Sequence, residues 1–106
     1  MTRAITLDTL RDAGSTVYTV ARRTPLVKLE PMTPNGPGDA DPVTRIHLKR
    51  ETLQPIGSFK VRGAANAVSG LNPEQLAAGV WTINAGNAAQ GVALAARCEG
   101  APCAPW

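Results

Sequence analysis

The chain has 106 residues, of which 43% are hydrophobic and 18% are charged, a composition typical of a globular protein rather than a disordered one. Its net charge of +3 comes from basic residues scattered from Arg3 to Arg97, so no basic block indicates a nucleic-acid partner. No apolar stretch is long enough for a signal peptide or a membrane span. Cys98 and Cys103 are too few for a disulfide framework or a zinc site. We therefore expect a cytoplasmic protein with no membrane, nucleic-acid or metal partner.

The amino-terminal part begins with a short predicted helix over residues 6–14, which has a threonine at its start and a glycine that we expect to end it. The composition of residues 17–29 favours an extended segment interrupted by a proline turn. The run 31–42 is rich in proline and glycine and is predicted to be a loop. We therefore separate an amino-terminal segment, residues 1–42, from a second unit.

The second unit, residues 43–106, alternates predicted strands and helices. A half-buried strand over 43–50 is followed by a helix capped by Ser58 and ended by Gly70. A second helix is opened by Asn72, Pro73 and Gln75 and ended by Gly79. Then come a buried strand over 80–83, a turn over 84–87 and a helix over 88–98, and another strand is expected to start at 101–106. This order is typical of an open α/β layer, a mostly parallel sheet with flanking helices. Right-handed crossovers predict that strands 43–49 and 80–84 are parallel and that the helices after Ser58 and Asn87 start at the same edge.

Two turns lead from strands into helices, which is where α/β proteins bind ligands. The first contains Lys60, an unusual residue at the positive end of a helix, where a nucleophilic amine is better suited than a structural cation. The second spans 84–87, and its N–H groups at a helix end can hold a carboxylate or a phosphate. Spacing alone leaves ordinary alternatives open. Lys60 can be a solvent-exposed cation, the second turn a connection, and His47 a surface residue on a polar strand face.

Three sequence blocks occur in a fixed order. They are Thr24-Pro25-Leu26, the run 49–64 (Lys-Arg-Glu-Thr-Leu-Gln-Pro-Ile-Gly-Ser-Phe-Lys-Val-Arg-Gly-Ala) and the run 84–93 (Asn-Ala-Gly-Asn-Ala-Ala-Gln-Gly-Val-Ala). Together they closely resemble the serine/threonine dehydratases of the tryptophan-synthase-like, type II pyridoxal-phosphate fold. The block Ser-Phe-Lys-x-Arg-Gly-Ala is specific and separates the chain from cysteine synthases, which share that fold. The resemblance covers 24–103 and implies an incomplete, amino-terminal piece of a longer two-domain enzyme.

The resemblance implies a role for each matching residue. Lys60 forms the Schiff base with pyridoxal 5'-phosphate and then removes the α-proton of the substrate. Phe59 packs against the cofactor ring, and Asn87 hydrogen-bonds the ring hydroxyl. The residues whose backbone holds the carboxylate of a small amino-acid substrate are Asn84, Ala85, Gly86 and Asn87. Serine or threonine is then converted to a 2-oxo acid and ammonia, and full-length relatives are expected to be homo-oligomers.

The chain also departs from the family pattern. Asn84 stands where the family commonly has serine, and Ala88 where it often has histidine, so the preferred substrate stays open. The family binds the cofactor phosphate with a glycine-rich loop, and no run of four near-consecutive glycines occurs in these 106 residues. Three hypotheses follow: a dehydratase represented by a truncated copy that is inactive alone, a small non-catalytic ligand- or partner-binding protein derived from the same fold, and a structural α/β domain without a ligand. We favour the first.

Overall fold

The computed structural model describes residues 4–30, 32–33, 36–37, 46–84 and 86–105. Its elements are α1 (Leu7–Val17), β1 (Leu26–Lys28), β2 (Met32–Thr33), β3 (Gly36–Pro37), β4 (His47–Lys49), a 3-10 helix (Glu51–Leu53), α2 (Lys60–Ser69), α3 (Pro73–Ala78), β5 (Val80–Thr82), α4 (Asn87–Cys98) and β6 (Cys103–Pro105). The mixture of helices and short strands confirms the predicted α/β class. No helix within the described ranges has the length and apolar character needed to cross a membrane.

Helix α1 begins where the sequence predicts but ends later. The Thr6 hydroxyl accepts a hydrogen bond from the Thr9 amide at 3.2 Å, and the Thr9 hydroxyl accepts one from the Thr6 amide at 2.9 Å, which is a capping box. The predicted stop at Gly14 is wrong, because the helix continues to Val17. Val17 is buried in one cluster with Val61 of α2, and this burial outweighs the cost of about 1 kcal/mol for a glycine inside a helix. A turn follows where the sequence favours an extended segment.

The described strands form three two-stranded sheets. Strands β1 and β4 are antiparallel, with Val27 opposite Leu48. Strands β2 and β3 are also antiparallel, whereas β5 and β6 are parallel, with Trp81 opposite Ala104. Strands β4 and β5 lie in different sheets within the described residues, so these pairings do not test the predicted parallel arrangement of strands 43–49 and 80–84, which stays a prediction. The strand expected at 101–106 is present as β6.

Backbone hydrogen bonds extend the pairing of β4 with β1 beyond the ends of both strands. The Arg50 amide donates to the Pro25 carbonyl at 3.1 Å, and the Leu29 amide donates to the Ile46 carbonyl at 2.9 Å. The antiparallel ladder thus continues past both ends of the three-residue strands and satisfies backbone groups that would otherwise need other partners. This pairing joins the segment after α1 to the segment that leads into α2.

Part of the predicted organisation lies outside the described residues. Of the run 31–42, predicted as a loop, the structure describes only the short strands β2 and β3. Positions 43–45 of the predicted strand are also outside the described ranges. The boundary between 1–42 and 43–106 therefore stays a prediction.

Helices α2 and α4 pack side by side. Gly91 of α4 lies against the backbone at the start of α2, and Ala95 of α4 packs in a buried cluster with Ala64 and Val68 further along α2. Because both contacts advance in the same chain direction, the two helices are parallel and their amino-terminal ends lie at the same end. This agrees with the prediction that both helices start at one edge.

Both ends of α3 follow the sequence signals. The Asn72 side chain accepts a hydrogen bond from the Gln75 amide at 2.8 Å, and the Gln75 side chain accepts one from the Asn72 amide at 2.9 Å, so the predicted capping box of α3 is confirmed. Gly79 ends α3 with a φ of 90°, and Gly100 follows α4 with a φ of 69°. Glycine adopts this left-handed region without the steric cost that other residues have there.

Strand side chains are more exposed than the sequence predicts. Trp81 of β5 is 66% exposed, although residues 80–83 are predicted to be a buried strand, and Leu48 of β4 is 49% exposed. Within the described residues each of these strands has a single hydrogen-bonded neighbour. The faces of a sheet are covered by the elements that pack on it, and a two-stranded sheet is too small to be covered well on both faces.

Candidate functional site

Lys60 is the first residue of α2. The residue at the helix N-cap is Phe59, one position later than the predicted Ser58. The buried Ser58 hydroxyl nevertheless accepts a hydrogen bond from the Lys60 amide at 3.3 Å. The Lys60 side chain is exposed, and its Nζ lies 5.1 Å from the centroid of the Phe59 ring, within the range of a cation–π contact. The Lys60 amine is therefore accessible from solvent and stands beside an aromatic face.

The second turn precedes α4, which has Gly86 at its N-cap and Asn87 as its first residue. The side-chain amide of Asn84 donates a hydrogen bond to the Gly86 carbonyl, so this side chain braces the turn. Ala85 lies outside the described residues. The first amides of an α-helix have no acceptor within the helix, and the helix dipole makes this end positive. The start of α4 therefore offers N–H donors to an anion such as a carboxylate.

Gly91 brings the two turns together. A Cβ atom added at Gly91 would lie 3.1 Å from the Lys60 carbonyl oxygen and 3.3 Å from the Val61 amide nitrogen. Asn87 precedes Gly91 by one helical turn, and residues four apart in a helix share a face. Helix α4 therefore turns the face that carries Asn87 towards the first turn of α2, which carries Lys60.

A polar cluster holds the other side of α2. Arg62 donates hydrogen bonds from Nε and Nη2 to the two carboxylate oxygens of Glu51, both at 2.8 Å, and from Nη1 to the Tyr18 hydroxyl at 3.3 Å. The Thr24 hydroxyl and the Gln54 side-chain amide donate to the same carboxylate, at 2.5 and 3.1 Å. We call these five residues the Glu51–Arg62 cluster.

The charges of the Glu51–Arg62 cluster are strongly stabilised. Hydrogen bonds from Arg62 and then from Thr24 and Gln54 lower the pKa of Glu51 from 4.5 to about 2, although burial acts in the opposite direction. The hydrogen bond to Glu51 raises the pKa of Arg62 above its ordinary value. The hydrogen bond from Arg62 also lowers the pKa of Tyr18. Glu51 and Arg62 are therefore both ionised at neutral pH.

The cluster also ties α2 to the segment that follows α1. The Gln54 side chain accepts a hydrogen bond from the Arg22 amide at 2.8 Å and donates one to the Arg22 carbonyl at 2.9 Å. The Lys49 ammonium group donates to the Thr24 carbonyl at 2.6 Å. Thr24 and Arg62 lie within the motif blocks of the sequence, but no spacing rule relates residues so far apart in the chain, so their contact with Glu51 could not be predicted.

The candidate site is an open surface. Phe59, Lys60 and Asn87 are exposed. A groove of about 600 Å³ beside β5 and β6 and one of about 670 Å³ between α1 and α2 are lined by none of these three residues. Among the described residues, no three His, Cys, Asp or Glu side chains group as metal ligands. A ligand at Lys60 would therefore be bounded by this chain on one side.

Known proteins are similar to this chain across both turns. The profile of a family described as pyridoxal-phosphate dependent enzyme matches residues 17–104. The L-threonine ammonia-lyase of Thermotoga maritima is 42% identical over 98 residues, which make up 92% of this chain and 23% of that protein. The biosynthetic L-threonine dehydratase of Haemophilus influenzae is 46% identical over an alignment of 88 residues, which covers 79% of this chain and 15% of that protein.

Two solved structures are similar in fold as well as in sequence. Maize serine racemase superposes with a TM-score of 0.76 at 30% identity, covering 97% of this chain and 30% of its own. The processed form of threonine deaminase isoform 2 from Solanum lycopersicum superposes with a TM-score of 0.73 at 34% identity, covering 99% of this chain and 29% of its own. The chain thus spans less than a third of the length of each of these four proteins.

Proposed function

Because the chain belongs to the pyridoxal-phosphate dependent enzyme family, we propose that Lys60 is the residue that attaches the cofactor covalently, through Nζ. The position of Lys60 carries this proposal. Its amine is exposed beside Phe59, and its backbone contacts Gly91 one turn after Asn87. A nucleophilic amine at a helix start, next to a second helix start, is the arrangement expected for a ligand site in an α/β protein.

The residues of this site fit part of the cofactor. The amine of Lys60 matches the cofactor aldehyde, the exposed ring of Phe59 can cover the pyridine ring, and the side-chain amide of Asn87 can hydrogen-bond the ring hydroxyl. When it is bound, pyridoxal phosphate supplies an electron sink for the α-carbon of an amino acid. The glycine-rich phosphate loop of the family has no counterpart in the 106 residues. The fit therefore covers the reactive face of the cofactor and does not extend to its phosphate.

We further propose that the reaction is the dehydration of serine or threonine to a 2-oxo acid and ammonia. The support comes from relatives named L-threonine ammonia-lyase and L-threonine dehydratase, which are 42% and 46% identical to this chain. In this reaction the substrate amino group first displaces Lys60 from the cofactor, and the freed amine takes the α-proton. The β-hydroxyl leaves as water, and the resulting enamine is hydrolysed to the 2-oxo acid and ammonia. The N–H groups of Gly86 and Asn87 at the start of α4 hold the substrate carboxylate, and Asn84 keeps the turn in shape. The contribution of Ala85, which lies outside the described residues, stays a prediction from the resemblance.

Three wider expectations accompany this proposal. The substrate is a small amino acid, the full-length relatives are homo-oligomers, and the protein is cytoplasmic. The first two stay predictions that follow from the resemblance, and the third stays a prediction from the composition of the sequence. The alternative, a small non-catalytic binding protein derived from the same fold, predicts ligand binding without covalent attachment at Lys60.

Borohydride trapping in the presence of pyridoxal phosphate, followed by peptide mapping, tests the role of Lys60. We expect the label on the peptide that contains Lys60, and we expect Lys60→Ala to abolish it. Lys28→Ala is the matched control, because Lys28 is an exposed lysine in β1, and it should leave the label unchanged. Label on Lys28 or Lys49 would overturn the assignment, and binding without any label would favour the non-catalytic alternative.

A further inference from the structure

We infer that Gly91 is a positioning residue for Lys60. Because Gly91 has no side chain, α4 can approach the first turn of α2 closely, and this approach sets where the Lys60 amine stands relative to the turn 84–87. The inference rests on the proposed role of Lys60. It adds the requirement that position 91 has no side chain, although Gly91 itself is assigned no contact with cofactor or substrate.

The space at Gly91 is limited by backbone atoms. A Cβ atom there would meet the Lys60 carbonyl oxygen at 3.1 Å, the Lys60 carbonyl carbon at 3.2 Å and the Val61 amide nitrogen at 3.3 Å. A flexible side chain could rotate away from such a contact, but a peptide group cannot. The φ of Gly91 is not in the left-handed region, so its backbone conformation is open to any residue and only the space requires glycine. An added methyl group must therefore displace the peptide that follows Lys60 by a few tenths of an ångström.

The residues of α2 that follow Lys60 cannot easily move to accommodate this displacement. Val61 is completely buried, in a cluster that includes Val17 of α1. Arg62 is held by two hydrogen bonds to Glu51. Lys60 is exposed and lies at the free end of the helix, so the shift should appear there. Proton removal needs the amine within a narrow range of positions, and a displacement of about 1 Å can cost on the order of a hundredfold in rate.

Two other substitutions separate positioning from simple destabilisation. Gly14 lies inside α1, where an added Cβ would be 4.0 Å from the Tyr18 ring, an ordinary contact, so Gly14→Ala adds a methyl group far from Lys60. Val68→Ala removes buried volume from the same interface between α2 and α4, about two helical turns after Lys60. It should lower stability without moving the first turn of α2.

The experiment uses the complete 106-residue chain and its Gly91→Ala, Gly14→Ala and Val68→Ala variants. Two-dimensional ¹⁵N–¹H spectra report the amides of Lys60 and Val61, urea midpoints report stability, and borohydride trapping at timed intervals reports the rate of cofactor capture at Lys60. For Gly91→Ala we expect shifted Lys60 and Val61 amide signals and capture slowed about tenfold. Gly14→Ala should change neither the Lys60 and Val61 amide signals nor the capture rate. Val68→Ala should lower the urea midpoint without changing the capture rate.

Each outcome decides the inference. Unshifted Lys60 and Val61 signals in Gly91→Ala, capture at the normal rate, or equal slowing in Val68→Ala would overturn it. If the unmodified chain is labelled at another lysine, the proposed function fails, and the amide shifts still decide whether Gly91 places Lys60. If circular dichroism shows that Gly91→Ala is unfolded, the variants are compared in trimethylamine N-oxide, which favours the folded state.

Discussion

Arg62 donates two hydrogen bonds to the Glu51 carboxylate, one from Nε and one from Nη2, and both are 2.8 Å long. The two side chains are 24% and 17% exposed, so solvent screens this ion pair only in part. Arg62 lies two residues after Lys60, whereas Glu51 lies in the 3-10 helix before α2. The pair therefore fixes the start of α2 to the segment that leads into it.

Glu51→Gln should destabilise the chain by about 2 kcal/mol. The glutamine keeps the size of the side chain but removes the negative charge, which leaves the Arg62 guanidinium partly buried without a counter-charge. It also replaces one acceptor oxygen with a donor that faces Arg62, Thr24 or Gln54. The free energy of unfolding in urea, followed by circular dichroism, measures the loss.

Arg11→Gln is the control for the Glu51→Gln variant. It breaks the ion pair between Arg11 and Asp8, whose side chains are 74% and 87% exposed and whose charged atoms are 3.3 Å apart. An exposed pair of this kind should contribute less than about 0.5 kcal/mol. Equal losses in the two variants would contradict the view that the Glu51–Arg62 cluster is a stabilising feature.

Acid should destabilise the chain partly through Glu51. The pKa of Glu51 is about 2 in the folded chain against an ordinary value of 4.5, so the folded state binds fewer protons in this range. The stabilisation is therefore complete above pH 4.5 and is lost as the pH falls towards about 2. Urea midpoints measured across this range should fall less steeply for Glu51→Gln than for the unmodified chain. Parallel curves would show that Glu51 does not titrate as described.

Gly79→Ala should destabilise the chain more than Gly100→Ala. Both glycines have a positive φ, of 90° and 69°, so alanine is strained at either position by about 1 kcal/mol or more. Gly79 has in addition the Pro102 carbonyl oxygen 3.2 Å from the position of an added Cβ, whereas nothing lies within 4 Å at Gly100. We expect a loss of roughly 2–3 kcal/mol at Gly79 and about 1 kcal/mol at Gly100, measured by urea unfolding. The reverse order would contradict the close packing of the α3 end against Pro102.

Local signals in the sequence predicted the local structure well. The capping box of Asn72 and Gln75 and the end of α3 at Gly79 depend on residues within one turn of each other, and the structure has them as predicted. The predicted end of α1 at Gly14 is wrong, because the preference of glycine for ending a helix is weaker than the burial of Val17, three residues later. Whether a glycine ends a helix depends on what the following turn can bury, and that partner, Val61, is distant in sequence.

Long-range features could not be read from the sequence in the same way. The pairing of β1 with β4 and the cluster around Glu51 and Arg62 join residues that no periodicity relates. The motif blocks located the two turns of the candidate site, and the approach of Gly91 to Lys60 places them side by side in space. That approach is a property of two packed helices, so only coordinates could reveal it.

The 106-residue chain alone should show no appreciable dehydratase turnover, even with excess pyridoxal phosphate and threonine. The candidate site provides one covalent attachment at Lys60, a ring contact from Phe59, which is 59% exposed, and donors at the start of α4. No glycine-rich loop in this sequence can hold the phosphate, and each charge-assisted hydrogen bond lost there is worth on the order of 1.5–3 kcal/mol. Proton removal at the α-carbon needs one orientation, and so few contacts permit many.

Formation of 2-oxobutyrate from threonine, followed over time with the purified chain, measures this directly. Lys60→Ala is the matched control, because any background reaction independent of the site would persist in it. Steady product formation that Lys60→Ala abolishes would contradict the prediction, since it would mean that the residues present already fix the reacting groups. Adding the carboxyl-terminal part of a full-length relative should restore some activity if the two pieces associate. We expect this result because the added part would supply the phosphate loop and would cover the open face beside Lys60, from which water must be excluded.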